Sequence, residues 1–240
     1  MAIVGRFLFL LLGLIMASPA LAQAPATTPA QPAPEPSGPM YIVAYFETAP
    51  AAANSAARVL HRFAAATRKA EGNEGILALR EARRPGRFAI VETWRDKTAL
   101  DAGQKAIDGL STSLQTRLSA PFDIRPCVAL DVAAPAAGGK EAAPRGLYVL
   151  THVDVVPTFK DQAIGLVKDL VGAGRKDPGA LSFDAVQQGN RPNHMFLVEA
   201  WRDRVAFDAY LASEPARTFR DKLLPLQGAL YDERLYEAIR

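Results

Sequence analysis

The 240-residue sequence has little of several features that often reveal a protein's chemistry. It contains a single cysteine, Cys127, so no disulfide can form within the chain. Its net charge of +3 is not gathered into a basic run, which argues against a nucleic-acid partner. Beyond the first 22 residues no apolar stretch approaches transmembrane length, so we expect no stable membrane insertion of the mature chain.

The sequence also lacks the spacings that bind metals and common cofactors. Its three histidines, His61, His152 and His194, form no H-x-H or H-x-x-E pair, and C-x-x-C is absent. Neither a dinucleotide-binding glycine pattern nor a G-x-S-x-G elbow occurs. We therefore predict no metal and no cofactor. His61 and His194 are expected at the surface, and Cys127 is expected to be a buried, inert thiol.

The amino terminus indicates export. One arginine, a run of about ten apolar residues and an Ala-x-Ala site predict a cleavable signal peptide over 1–22. Residues 23–39 are rich in Pro and Ala and predict a linker, as do residues 133–145. The expected location is periplasmic or secreted.

What the sequence does contain is an internal repeat. Residues 91–102 and 198–209 are identical at eight of twelve positions, and each segment holds one of the two tryptophans. Around each segment the hydrophobic pattern predicts the order β-α-β-β-α-β, with Asp96 and Asp203 as N-caps of the second helix. The fold class is therefore α+β. We predict two tandem ferredoxin-like repeats, 40–132 and 146–240, that pack face to face as an intrachain α+β barrel.

The block Glu-x-Trp-x-Asp, present at 92–96 and 199–203, resembles the antibiotic-biosynthesis-monooxygenase-like superfamily of dimeric α+β barrels. The resemblance implies a small-molecule pocket. Relatives include cofactor-independent quinol and phenol monooxygenases and haem-degrading enzymes. Many relatives carry a histidine in the second helix, where this sequence has Gly103 and Tyr210. The haem-ligating position falls near Arg220, which stays protonated and cannot bind iron usefully, so haem is disfavoured.

His152 is the candidate base. Strand alternation places it on one face with Tyr148, and the resemblance implies that a polar residue here lines the pocket. A neutral imidazole could take a proton from a phenol. The alternative is a core histidine bonded to the backbone.

The second candidate group surrounds the tryptophans. Glu199 and Trp201 share a strand face, and Tyr210, Phe183 and Phe207 could complete an aromatic slot. Repeat one has smaller or aliphatic residues at the matching positions, which are Gly103, Leu79 and Leu100, so repeat two is expected to hold the better pocket. The alternative is a packed indole whose neighbouring carboxylate pairs with a helix arginine.

The resemblance and these residues together favour a cofactor-independent monooxygenase acting on a quinol or polyphenol. His152 would be the base, Trp201 and Tyr210 would position the ring, and Arg220 would offset anionic charge. One alternative is a non-catalytic barrel that binds a small aromatic or lipid-derived ligand, and another is a purely structural module. The sequence leaves open whether the barrel forms a homo-oligomer.

Overall fold

The structure is a computed structural model that describes residues 38–133 and 146–240. The predicted signal peptide lies outside the described residues, as do most of the first linker and all of the second linker except Ala133. Within the described ranges, no helix combines the length and apolar character needed to span a bilayer.

Both repeats have the predicted order of elements, except that the second helix of repeat two is divided into two. Repeat one consists of β1 (Met40–Glu47), α1 (Ala53–Thr67), β2 (Asn73–Glu81), β3 (Arg87–Trp94), α2 (Lys97–Leu114) and β4 (Asp123–Asp131). Repeat two consists of β5 (Leu147–Asp154), α3 (Lys160–Gly174), β6 (Ala180–Gln188), β7 (His194–Trp201), α4 (Arg204–Leu211), α5 (Glu214–Leu223) and β8 (Asp232–Ala238). The N-caps are confirmed, because Asp96 accepts from the backbone N–H of Ala99 and Asp203 from that of Ala206.

The eight strands form one closed antiparallel barrel in the order β1-β3-β2-β8-β5-β7-β6-β4. Each repeat contributes four neighbouring strands. The last strand of each repeat pairs with its own first strand and with the second strand of the other repeat. The barrel therefore closes through the β2–β8 and β4–β6 pairs, and the predicted intrachain barrel is confirmed.

Side-chain alternation divides each sheet into a helix side and a barrel interior. In repeat two, Val149 and Leu197 pack against the helices, whereas Tyr148 and Leu150 point into the barrel and meet Val91 of repeat one. Cys127 also lies inside the barrel, and burial raises the pKa of its thiol to about 12. The prediction that Cys127 is buried is confirmed.

The second helix differs between the repeats. The sequence predicts one helix in each, yet α2 has 18 residues whereas repeat two has an eight-residue α4 and a ten-residue α5. Ala212 and Ser213 lie between α4 and α5, so repeat two has two extra residues at this point. The insertion cannot fit into a continuous helix without rotating its apolar face away from the sheet, so the helix breaks there and α5 restarts with Pro215 in its first turn.

Candidate functional site

The predicted site residues fall on two sides of the sheet. Six lie among the buried aromatic and polar groups between the sheet of repeat two and its helices: Phe183, Glu199, Trp201, Phe207, Tyr210 and Arg220. Tyr148 and His152 belong to the opposite face of β5, inside the barrel. Because the sheet backbone separates the two groups, His152 cannot act on a ring held by Trp201 and Tyr210. The single site predicted from the sequence is corrected to two.

Each tryptophan is bonded to the glutamate two residues before it. The indole Nε1 of Trp201 donates to Oε2 of Glu199 at 2.8 Å, and Trp94 donates to Glu92 at 2.9 Å. All four side chains are buried. Burial raises the pKa of Glu92 to about 7 and that of Glu199 to about 8, although the indole hydrogen bond acts in the opposite direction. These carboxyl groups therefore hold a proton near neutral pH.

A small cavity lies beside Glu199, between the sheet and the three helices of repeat two. Its lining comprises Leu170, Phe183, Glu199, Phe207, Tyr210, Leu211, Ala216, Phe219, Arg220, Tyr231 and Glu233. The free volume is about 10 Å³, which holds about one water molecule. The cavity has the chemical composition of an aromatic binding site, but an organic ring can enter only if the wall moves.

Arg220 contacts two other residues in the lining of this cavity, Glu233 and Tyr231. Arg220 lies 3.5 Å from a carboxylate oxygen of Glu233, and its guanidinium is 5.9 Å from the ring centre of Tyr231. Tyr210 donates its hydroxyl to the backbone oxygen of Leu170 at 3.3 Å, and burial raises the pKa of this phenol well above its ordinary value. Tyr210 therefore remains a neutral wall and hydrogen-bond donor.

Repeat one fills the corresponding space with its own side chains. A Cβ at Gly103 would lie 2.7 Å from Nε1 of Trp94 and closer still to two ring carbons, so the indole occupies the place that Tyr210 takes in repeat two. Ile76, not Leu79, is the residue of repeat one equivalent to Phe183, because Ile76 pairs with Glu92 as Phe183 pairs with Glu199, whereas Leu79 points into the barrel. The sequence match of Leu79 to Phe183 is therefore wrong.

The charged pair of the cavity has no counterpart in repeat one. Strand pairing aligns Glu233 with Ile124. Two isolated β-bridges, Thr48–Leu118 and Val155–Gln227, occupy equivalent places after the helices of the two repeats. They align Arg220 with Ser111. Repeat two therefore holds the polar cavity, which agrees with the expectation of a better pocket there.

The second group of predicted residues belongs to a stack of planar side chains at one end of the barrel, here called the mouth stack. Its members, in spatial order, are His194, His152, Phe196, Arg125, Tyr45 and Arg234. Both repeats contribute to it. Each arginine is also bonded to the aspartate two residues before it, and the repeated Asp-x-Arg pattern at 123–125 and 232–234 is the sequence feature that sequence reasoning missed.

His152 is poorly suited to accept a proton from a phenol. Its Nε2 lies 3.3 Å from Nη1 of Arg125 and 3.0 Å from Nδ1 of His194. Burial first, and then the charge of Arg125, lower the pKa of His152 to about 4. An imidazole with so low a pKa is a weak base. His194 is not the surface residue expected from the sequence, since its side chain is only 12% exposed.

The side chains that commonly bind metal ions do not come together in the described part of the chain. Throughout 38–133 and 146–240, no three His, Cys, Asp or Glu side chains converge in a way that would hold a metal ion.

Comparisons with known proteins agree with this architecture. The family model described as Antibiotic biosynthesis monooxygenase matches residues 39–106 and 146–222. An uncharacterised protein from Synechocystis sp. (strain ATCC 27184 / PCC 6803 / Kazusa) is 23% identical over 91 residues, which are 38% of this chain and 62% of that protein. The chain thus spans less than two thirds of that relative's length.

Solved structures share the whole barrel. A proposed monooxygenase from Fusobacterium nucleatum subsp. nucleatum has a TM-score of 0.71 at 16% identity, covering 85% of this chain and 94% of that one. A protein described as anthrone oxidase-like has a TM-score of 0.63 at 13% identity, covering 86% and 93%. At these identities the likeness concerns the fold. Because the family model matches both repeats and more than half of the sequence, the chain belongs to the antibiotic biosynthesis monooxygenase family, with two copies of its domain in tandem.

Proposed function

We propose that the protein is a cofactor-independent monooxygenase that oxidises a quinol or polyphenol in the helix-side cavity of repeat two. Glu199 is the proton acceptor in this proposal. Trp201 holds its carboxyl group, and the aromatic side chains of Phe183, Phe207 and Tyr210 face the substrate ring. Family membership supports the reaction class, and the residues of the cavity support its location.

The observation that carries the proposal is the position of Glu199, a buried carboxyl group in the wall of an aromatic cavity. A general base works best when its pKa lies near the working pH, and burial raises the pKa of this carboxyl group to about 8. Its carboxylate form therefore has enough basicity to take a phenolic proton in a water-poor cavity. Glu92 has the same bond to a tryptophan, yet the space around it is filled by repeat one.

The remaining groups fit the charge that develops during the reaction. Removal of a proton from a quinol gives an electron-rich anion, which dioxygen oxidises. When the ring gains one oxygen atom and becomes a hydroxyquinone, one O₂ is consumed and one water is released. Arg220 lines the cavity and can stabilise the phenolate in a low-dielectric setting.

A second candidate function is binding without catalysis. The free volume of about 10 Å³ favours it, since catalysis requires the wall to open before a substrate can bind. The absence of the second-helix histidine, which Tyr210 replaces, points in the same direction.

Oxygen uptake distinguishes the two functions. The mature protein, beginning at Gln23, would be assayed with a panel of hydroquinones and with anthrone. We expect Glu199→Gln to lower the catalysed rate by about 100-fold or more, as is typical when a general base is removed. The wild-type kcat/KM should rise with pH up to about 8, because the active form of Glu199 is its carboxylate.

Glu92→Gln is the matched control, since it makes the same change in repeat one and should leave the rate unchanged. His152→Ala tests the base originally favoured by the sequence. A rate that falls with His152→Ala but not with Glu199→Gln would place the chemistry inside the barrel. Tight binding of a quinol without catalysed oxygen uptake would support the binding function instead.

A further inference from the structure

A groove on the surface of repeat two lies next to the Glu199 cavity. It runs between α3 and α5, has a volume of about 230 Å³ and is lined by Leu166, Asp169, Leu170, Glu214, Pro215, Thr218, Phe219 and Lys222. The groove is open to solvent and much larger than the cavity of about 10 Å³ behind it. It is therefore a candidate route to the buried carboxyl group.

Two buried side chains separate the groove from the cavity. Leu170 of α3 and Phe219 of α5 line both spaces, and they are 5% and 4% exposed. The backbone of α3 is held at this point by the hydrogen bond from Tyr210 to the carbonyl of Leu170. Because Leu170 is held in this way, Phe219 is the more readily displaced of the two side chains. Displacement of its ring would join the groove and the cavity.

The helix that carries Phe219 is separated from the helix before it by Ala212 and Ser213. The two extra residues end α4 at Leu211, and α5 begins at Glu214. The hydroxyl of Ser213 at this junction is buried and has no hydrogen-bond partner within the part of the chain that the structure describes, so no side-chain cap fixes the start of α5. In repeat one the corresponding α2 runs unbroken from Lys97 to Leu114, so a comparable movement there would require breaking a continuous helix.

We infer that the groove between α3 and α5 is the outer binding subsite through which a phenol reaches Glu199, and that Phe219 determines which substrates pass. The inference rests on the proposed function of the same cavity. The groove carries Asp169 and Glu214 against the single cation of Lys222, so its net charge is negative. A phenol that is neutral in solution and becomes an anion only beside Arg220 fits this arrangement. A polyanionic substrate does not.

Binding of 4-nitrophenol tests the inference without the oxygenase reaction. The absorbance of this planar phenol changes with its surroundings, and stopped-flow mixing at about pH 5, where 4-nitrophenol is neutral in solution, gives its association rate with the full protein beginning at Gln23. We expect Phe219→Ala to raise the association rate constant by about tenfold or more, because the gating step is removed. Phe219→Leu should give an intermediate rate, and it preserves more of the packing if the alanine variant folds poorly.

Leu110→Ala is the matched control, because Leu110 occupies the equivalent position of α2 in repeat one. This variant should bind 4-nitrophenol at the wild-type rate. Equal rates in the wild type and both Phe219 variants would overturn the inference, as would equal acceleration by Leu110→Ala or failure of every variant to bind. If the association rate of 4-nitrophenol depends on residue 219 but no quinol causes oxygen uptake, the inference about Phe219 stands and the oxygenase function is refuted.

Discussion

At the scale of single residues, two carboxyl groups with the same local partner differ in what surrounds them. Glu92 and Glu199 each accept the indole N–H of the tryptophan two positions on. Trp94 packs over Gly103 beside Glu92, whereas Glu199 borders a cavity with Arg220 and Glu233. The local bond explains how the carboxyl group is oriented, and the surroundings decide whether it can meet a ligand.

Both carboxyl groups should make folding stability depend on pH. A carboxyl group whose pKa is raised in the folded state binds its proton more tightly there than in the unfolded chain. Stability is therefore highest below the unfolded pKa of about 4.5 and falls as the pH rises through about 7 for Glu92 and about 8 for Glu199. Glu199→Gln should change stability near pH 5 by about 1 kcal/mol or less and raise it at pH 9 by about 4–5 kcal/mol, because one unit of pKa corresponds to about 1.4 kcal/mol.

Urea unfolding at pH 5 and pH 9 measures this effect, and Glu92→Gln should show a smaller gain in the same direction. A glutamine variant that is no more stable than the wild type at pH 9 would mean that the carboxyl group is ionised without cost in the folded protein. That result would also remove the physical basis for Glu199 as a base.

The sequence predicts correctly which residues share a face of a strand, but it does not predict which elements that face contacts. Strand alternation correctly paired Glu199 with Trp201, and Tyr148 with His152. It could not show which face meets the helices and which faces the barrel, because both faces of these strands are apolar. His152 and Trp201 were therefore assigned to one site, although the sheet separates them.

At the scale of elements, the two repeats differ most in the second helix. The repeat offset in sequence is 107 residues up to the tryptophans and 109 after the helices, as the bridges Thr48–Leu118 and Val155–Gln227 show. Helical periodicity alone predicts one helix in both repeats. The two extra residues become evident only when the strands after the helices are aligned.

The close packing of α2 on β3 can be tested at Gly103. Gly103→Ala should destabilise the protein by about 1–3 kcal/mol, because the new methyl group overlaps the indole of Trp94 and overpacks the core. Gly109 lies in the same helix with open space where a Cβ would be, so Gly109→Ala should stabilise by about 0.5–1 kcal/mol through helix propensity. Thermal unfolding of the two variants provides the comparison. Equal effects would show that the indole does not lie against Gly103.

At the scale of the whole molecule, the repeats share one interior. The strand pairs β2–β8 and β4–β6 join them by backbone hydrogen bonds, and the mouth stack draws Tyr45 and Arg125 from repeat one against His152 and Arg234 of repeat two. The sequence predicted this closure correctly, because each sheet presents a second apolar face that only another sheet can cover. The planar stack escaped prediction, since its members are far apart in the chain.

The shared interior implies that the two repeats unfold together. If one repeat opened alone, it would expose the barrel face of the other, including Leu150 and Val198, to water. The free energy gained by burying this apolar surface would be lost, so separate opening is strongly unfavourable. Differential scanning calorimetry of the protein beginning at Gln23 should therefore give one transition, with equal calorimetric and van't Hoff enthalpies. Gly103→Ala is placed in repeat one and should lower the midpoint of the entire transition, not of one half. If this variant instead splits the transition into an early and an unshifted peak, the repeats are independent folding units, and the barrel interface contributes little to stability.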